Sequence, residues 1–273
     1  MKFVITGGAG FIGSHLAKQL LDENHSISII DNLNTGKMSN LGDILDRINF
    51  IHGDIRDSDL LKKTTSDVDG VFHEAALASV QESFSKTKEY NDVNVVGTEN
   101  ILKLAKESRF KIVYASSSSV YGNPIKIPIH EDDPKNPINP YAQTKIEDEK
   151  LATKYAKEGV RVIGLRYFNV FGDRQSQQYA GVIKKFLKKA RSEESPIING
   201  DGTQTRDFVF VDDVVRVLGS FVDLEFENCK KFDLGYGESR SFISIAMEIQ
   251  HLIKSEISIK MEDMPIFSNA KNY

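Results

Sequence analysis

Tyr141 and Lys145 stand four residues apart in INPYAQTK, residues 138–145. Asn139 is a capping residue type and Pro140 suits a first helical position, so the stretch predicts a helix with both side chains on one face. At that spacing a phenol and an ammonium lie about 5–6 Å apart at Cβ. Spacing alone leaves two readings open: a solvated surface pair, or an acid/base unit. In the second the lysine has work to do. Free tyrosine has a pKa near 10, about three units too high for a base at neutral pH, and a fixed cation favours the phenolate.

A second group lies at the N-terminus. KFVITGGAGFIGSHLAKQLL, residues 2–21, reads as a strand, a glycine turn and an amphipathic helix. Gly7, Gly10 and Gly13 fit G-x-x-G-x-x-G, and Gly8, Gly10 and Gly13 fit G-x-G-x-x-G. Between a strand and a helix, such glycines let backbone approach a pyrophosphate at the helix N-terminus; the other reading is a plain tight turn. Asp31 ends the next apolar run, SISII. A carboxylate there accepts both hydroxyls of an adenosine ribose and repels a 2′-phosphate, which favours NAD over NADP. Lys37 is the one nearby base that would soften the preference. Asp54, in GDIRD, would hold an adenine by its side chain or neighbouring amides, or else cap a turn.

The elements that must position these groups alternate. Strand-length apolar runs (FVIT, ISII, INFIH, GVFHEAA, KIVYAS, RVIGLRYF, KFDLG) are separated by helix-period stretches such as 11–22, 88–108 and 141–158. Continuous apolar strands between helices indicate an α/β fold with a doubly wound parallel sheet, ligands sitting at the strands' carboxyl ends. The alternation holds over 1–168. Segments 169–206 and 236–273 read as a smaller substrate-binding region over those strand ends, while DDVVRVLGSFVD and KFDLG, within 207–235, are expected to rejoin the main sheet.

Composition excludes several classes. The 273 residues carry a net charge of −4, so no basic field draws the chain to nucleic acid or anionic lipid. The single cysteine, Cys229, forms no internal disulfide; it is expected as a buried apolar residue and suits a reducing cytosol. No apolar run reaches membrane-spanning length, and the first residues run into a strand rather than a signal peptide. The six histidines are scattered without ligand spacing, so no metal site is expected. Lys184, Lys185, Lys188, Lys189 and Arg191 have helical spacing and read as a solvated face rather than a funnel for an anionic substrate.

Taken in order, TGGAGFIG, DN at 31–32, GDIRD, HEAALASV at 73–80, NVVGT at 94–98, SSSSVYG at 116–122, YAQTK at 141–145, LRYFNVFG at 165–172 and NGDGTQTRDFVFVDD at 199–213 span nearly the whole chain. They resemble the extended short-chain dehydrogenase/reductases, within them the NAD-dependent epimerases and dehydratases, and are most similar to UDP-glucose and UDP-N-acetylglucosamine 4-epimerases. The resemblance implies a Rossmann fold, a bound NAD and a UDP-sugar substrate. It makes Tyr141 and Lys145 the acid/base pair and Ser117 the hydroxyl that hydrogen-bonds the reacting group, with Ser118 the alternative register in the serine run. It implies cofactor contacts from Gly7, Gly10, Phe11, Ile12, Gly13, Asp31, Asn32, Asp54, Ile55, Ala75, Ala76, Asn94, Tyr141, Lys145 and Tyr167. Substrate contacts would come from Ser79, Val80, Ser117, Asn169 and Arg206.

Dehydratases of this family carry an Asp-Glu pair after the catalytic Ser or Thr. Here those positions are Ser118 and Ser119, which favours 4-epimerisation of UDP-glucose and UDP-galactose, with the N-acetylhexosamine pair as further candidates. Another nucleotide-sugar enzyme, a dehydratase or reductase, and a non-catalytic NAD-binding relative are the alternatives. Family members usually extend some tens of residues beyond the position of Tyr273. That tail bears a second diphosphate-binding Arg and a residue that sets the room for the C2 substituent. Pairing through helices 88–108 and 141–158 would make a homodimer.

Overall fold

The computed structural model describes residues 1–176, 181–254 and 258–263; the end of the second expected segment, 264–273, lies outside the described residues. Seven parallel strands form the central sheet: β1 (Lys2–Thr6), β2 (Ser26–Asp31), β3 (Asn49–His52), β4 (Gly70–His73), β5 (Lys111–Ser117), β6 (Val162–Tyr167) and β10 (Cys229–Leu234). Their order is β10-β6-β5-β4-β1-β2-β3. The chain runs outward from β1 to one edge, returns beside β1 as β4, and proceeds to the other edge. The switch between β1 and β4 opens a crevice at the carboxyl ends of the two strands, where α/β sheets bind ligands.

Side-chain alternation along the strands builds two cores. Phe3 and Ile5 of β1, with Ile163 and Leu165 of β6, face α1 (Phe11–Asp22) and α8 (Val211–Ser220). Val4 and Val162 face the opposite layer, α2 (Ser58–Thr64), α5 (Gly97–Ser108) and α6 (Pro140–Ala156). Both faces are covered, so the inner strands are buried almost throughout. Cys229 is half-buried on edge strand β10, packed beside the second core. No helix among the described residues is long and apolar enough to cross a membrane.

The expected helix over 88–108 is three segments. α3 (Val80–Ser85) leads to α4 (Thr87–Tyr90), a π-helical stretch Asn91–Val96, and then α5. Beyond β6, short strands β7 (Asn169–Phe171), β9 (Thr205–Phe210) and β11 (Ser239–Ser241) form one small sheet, and β8 (Ile197–Asn199) pairs with β12 (Lys260–Glu262). A third core of Phe186, Ala190, Ile198, Ala246 and Ile249 joins α7 (Val182–Arg191), β8 and α9 (Phe242–Leu252).

One buried ionic network ties α6 to the sheet. Arg166 on β6 donates Nε to Glu149 Oε1 at 2.7 Å and Nη2 to Oε2 at 2.8 Å. Its Nη1 donates to the Tyr121 hydroxyl at 2.7 Å and to the Glu131 carbonyl at 2.9 Å, and Tyr121 donates to Asp233 of β10 at 2.7 Å. Burial would raise the Glu149 carboxyl, but the Arg166 guanidinium more than offsets this and holds it low. Arg166→Met should therefore cost about 3–5 kcal/mol, because it leaves a buried anion without its partner. Urea unfolding measures the loss; one well under 1 kcal/mol would show that the pair does not anchor α6.

Candidate active site

A cavity of about 830 Å³ opens at the switch point between β1 and β4. Its floor at one end is the turn after β1. Gly7 adopts φ +70°, and a Cβ there would sit 2.7 Å from the Ala75 nitrogen. A Cβ on Gly13 would sit 2.4 Å from the Gly7 carbonyl oxygen, so α1 approaches the turn only because that position lacks a side chain. Gly10 caps α1 without a side-chain hydrogen bond, and the first turn holds no acidic residue. That leaves amides and the positive end of the helix for an anion. Gly7, Gly10, Phe11, Ile12 and Gly13 all line this end. The backbone cradle fits the pyrophosphate of a dinucleotide.

Asp31, Asn32, Asp54 and Ile55 line the next part of the wall. The Asp31 carboxylate accepts from the Ala9 amide at 2.9 Å and the Leu33 amide at 2.8 Å, locking the glycine turn to the end of β2. Burial raises its pKa, and those two amides oppose the rise. Asp54 accepts from Arg56 at 2.8 and 2.7 Å and from Asn32 at 2.9 Å. Hydrogen bonds from Arg56 hold its carboxyl well below the ordinary range. Lys37 also lines this part of the wall.

Ser117, Tyr141 and Lys145 converge on the other end, with Ala75, Ala76 and Tyr167. Asn139 caps α6 by accepting from the Ala142 amide at 2.8 Å, with Pro140 in the first turn, and this local chemistry starts the helix where Tyr141 reaches the cleft. Ser117 Oγ accepts from the Ser119 amide at 3.2 Å and the Ser119 hydroxyl at 2.9 Å. Its own hydrogen is thereby left to donate into the cavity. Ser118 is buried and does not line the cavity, so the serine run places Ser117 in the site. Lys145 is 3% exposed and its Nζ lies 3.2 Å from Asp148 Oδ2. Burial alone would depress the ammonium; Asp148, Tyr141 and Glu74 outweigh it and raise its pKa. Burial, with the Lys145 charge, pushes His73 down to about 3, so this ring is neutral between Thr6 and Thr98.

Other expected contacts lie outside the cavity lining. Asn94 is wholly buried. Its amide accepts from the Leu77 nitrogen at 2.8 Å and donates to the Leu77 carbonyl at 3.0 Å, holding the 74–79 segment from behind. Ser79 caps α3, and Val80 follows it in that helix. Asn169 donates to the Asp207 carbonyl at 3.0 Å. Arg206 donates to the Thr205 carbonyl at 2.7 Å and lies over the Phe242 ring. The basic stripe divides: Lys185, Lys188 and Arg191 are exposed, whereas Lys184 lines the cavity beside Gln175 and Arg174. Among the described residues, no group of three or more His, Cys, Asp or Glu could hold a metal ion.

Glu74 has no counterpart in the sequence reading. It lines the cavity and accepts from the Tyr167 hydroxyl at 2.9 Å. Burial raises its carboxyl from 4.5 to about 7, against the Tyr167 hydrogen bond and the Lys145 charge. A folded-state value above the unfolded one stabilises fully below pH 4.5 and loses that contribution as pH rises through about 7. Glu74→Gln should therefore gain on the wild type by up to about 3 kcal/mol between those limits. Melting curves of the cofactor-free proteins at pH 4.5 and pH 8 test this; an equal gap at both would refute it.

Residues 3–226 match the NAD dependent epimerase/dehydratase family. The chain is 36% identical over 265 residues to a UDP-N-acetyl-alpha-D-glucosaminuronate decarboxylase of Bacillus cytotoxicus, covering 94% of this chain and 82% of that protein. It is 35% identical over 292 residues to a UDP-glucose 4-epimerase of Halalkalibacterium halodurans, covering 97% and 85%. Among solved structures, the UDP-N-acetylglucosamine 4-epimerase of Methanobrevibacter ruminantium M1, in complex with UDP-N-acetylmuramic acid, superposes with TM-score 0.92 at 36% identity, covering 99% of this chain and 87% of the other. With its seven-stranded parallel sheet, glycine turn and matching relatives, this chain belongs to the NAD-dependent epimerase/dehydratase family.

Proposed function

We propose that this protein is a UDP-hexose 4-epimerase, interconverting UDP-glucose and UDP-galactose and, as a second substrate pair, their N-acetylhexosamine counterparts. The observation that carries the reading is the meeting of Ser117, Tyr141 and Lys145 in one cavity with the glycine turn. Ser118 and Ser119 supply no carboxylate pair for elimination, and Ser119 instead donates to Ser117. Bound NAD supplies the hydride acceptor and later the donor. Tyr141 takes the proton of the sugar's C4 hydroxyl, leaving a 4-keto sugar, and returns it once that ketone has presented its other face. Ser117 donates to the same oxygen. Lys145 keeps a positive charge beside the phenol and would hold the cofactor's ribose.

In this reading residues 1–168 with 207–235 bind the cofactor and 169–206 with 236–273 bind the nucleotide sugar. Arg174 and Lys184 at the cavity wall suit a diphosphate. Two copies pair through segments 88–108 and 141–158; Val96, at the end of the π-helical stretch, is 42% exposed. Sedimentation should show a species near twice 30.6 kDa, and a monomer alone would refute the dimer.

Incubating the protein with UDP-galactose and, separately, UDP-N-acetylgalactosamine, with trace NAD⁺, should yield the 4-epimers by NMR. Tyr141→Phe should lower turnover about 10²–10⁴-fold. A dehydrated product, no 4-epimer from either substrate, or unchanged turnover by the Phe variant would overturn the assignment.

A further inference from the structure

The pair Lys145–Asp148 is the least solvated ion pair touching the cleft. Lys145 and Asp148 are 3% and 0% exposed. They lie three residues apart on α6, so Asp148 reaches the ammonium from behind while Lys145 extends to the cavity wall. Asp148 Oδ1 has no hydrogen-bond partner among the described residues. A buried carboxylate that leaves one oxygen unpaired contributes little to stability by itself. Its contacts are the amine proposed to act on Tyr141 and the Thr98 hydroxyl.

We propose that Asp148 is the positioning residue of Lys145, keeping this buried amine cationic and aimed at the cleft, and thereby setting the alkaline edge of the pH range over which the Tyr141–Lys145 pair works. The inference rests on the acid/base role assigned above to Tyr141 and Lys145.

The charges around the pair are few, which makes the argument tractable. On α6 itself, Tyr141 faces Lys145 and Glu149 faces Asp148. Glu74, just past β4, attracts Lys145, while His73 at the end of β4 is held neutral in part by the Lys145 charge. From β5, the phenol of Tyr114 feels Asp148, and from α5 the Thr98 hydroxyl favours the ionised carboxyl. Glu149 is committed to Arg166. Asp148 is thus the anion in direct contact with the ammonium, and of the attractions that oppose desolvation of Lys145 its own is the largest. Removing that charge while keeping the side-chain shape lets desolvation prevail. The amine then loses its proton at lower pH, and the cation beside Tyr141 is lost with it. Burial raises the Asp148 carboxyl to about 6, with the Lys145 ammonium and the Thr98 hydroxyl opposing the rise.

The test is Asp148→Asn, with melting curves establishing that the variant folds. The holoprotein is labelled with ¹³C-lysine, and the Lys145 resonance is assigned through Lys145→Arg. Its titration midpoint should fall by about one to three pH units in Asp148→Asn, and the alkaline limb of kcat/KM for the NMR-followed reaction should move down with it. Unchanged Lys145 titration would overturn the proposal even with epimerisation intact. A shifted titration in a protein with no epimerase turnover would uphold the coupling and refute the functional reading instead. Should the variant not fold, Glu74→Gln decides, since it removes the other carboxyl that titrates near neutrality beside Lys145: in that protein the Lys145 resonance should show a step near pH 6 as Asp148 takes its proton, and the absence of a step would sink the idea.

Discussion

The bidentate contact between Arg166 and Glu149 is the constraint on which the active end of the molecule depends. Helix α6 carries Lys145, Asp148 and Glu149 into the interior, where an unpaired charge is costly. Glu149 is paired through both oxygens to Arg166, with the Ser116 hydroxyl as a further donor at 2.8 Å. The contact sets how α6 sits on β5 and β6. Its first turn, with Tyr141, then falls at the carboxyl end of β5, where Ser117 emerges. Arg166 also holds Tyr121 and the Glu131 carbonyl, so the chain just past Ser117 is tied to the same anchor.

A second chain of bonds fixes the opposite wall. Asn94, in the π-helical stretch, clasps both backbone groups of Leu77 and donates to Thr144 at 3.0 Å. Thr144 donates to the Tyr141 carbonyl at 2.7 Å. The segment that carries Glu74, Ala75 and Ala76 into the cavity is thus joined to the turn that carries Tyr141. Asn94 lies inside the π-helical stretch, a feature frequent at functional sites.

Around Lys145 and His73, burial makes each charge costly and each field strong. Lys145 stays cationic because Asp148, Tyr141 and Glu74 together outweigh its desolvation, while His73 beneath it stays neutral and adds no competing charge. Glu74 and Tyr167 form a polar contact whose charge state changes near neutrality. Such tuning of buried groups is typical of acid/base sites.

What the sequence determined by itself is local or periodic. Alternating apolar strands and helices specified a parallel sheet covered on both faces, because each pattern buries only one way. The glycine turn and the Asn139–Pro140 helix start were readable because backbone geometry there depends on a few adjacent residues. Tertiary structure decided everything that rests on residues distant in the chain. It chose Ser117 within a run of four serines, since Ser119 turns back on it. It placed Asn94, Asn169 and Arg206 against protein backbone and brought Lys184 out of its stripe to the cavity wall. It also joined Glu74 to Tyr167 and buried the Lys145–Asp148 pair, whose i,i+3 spacing by itself gives only a shared helix face. A carboxylate's charge state follows from burial and from partners supplied by other elements, and no spacing along the chain encodes either.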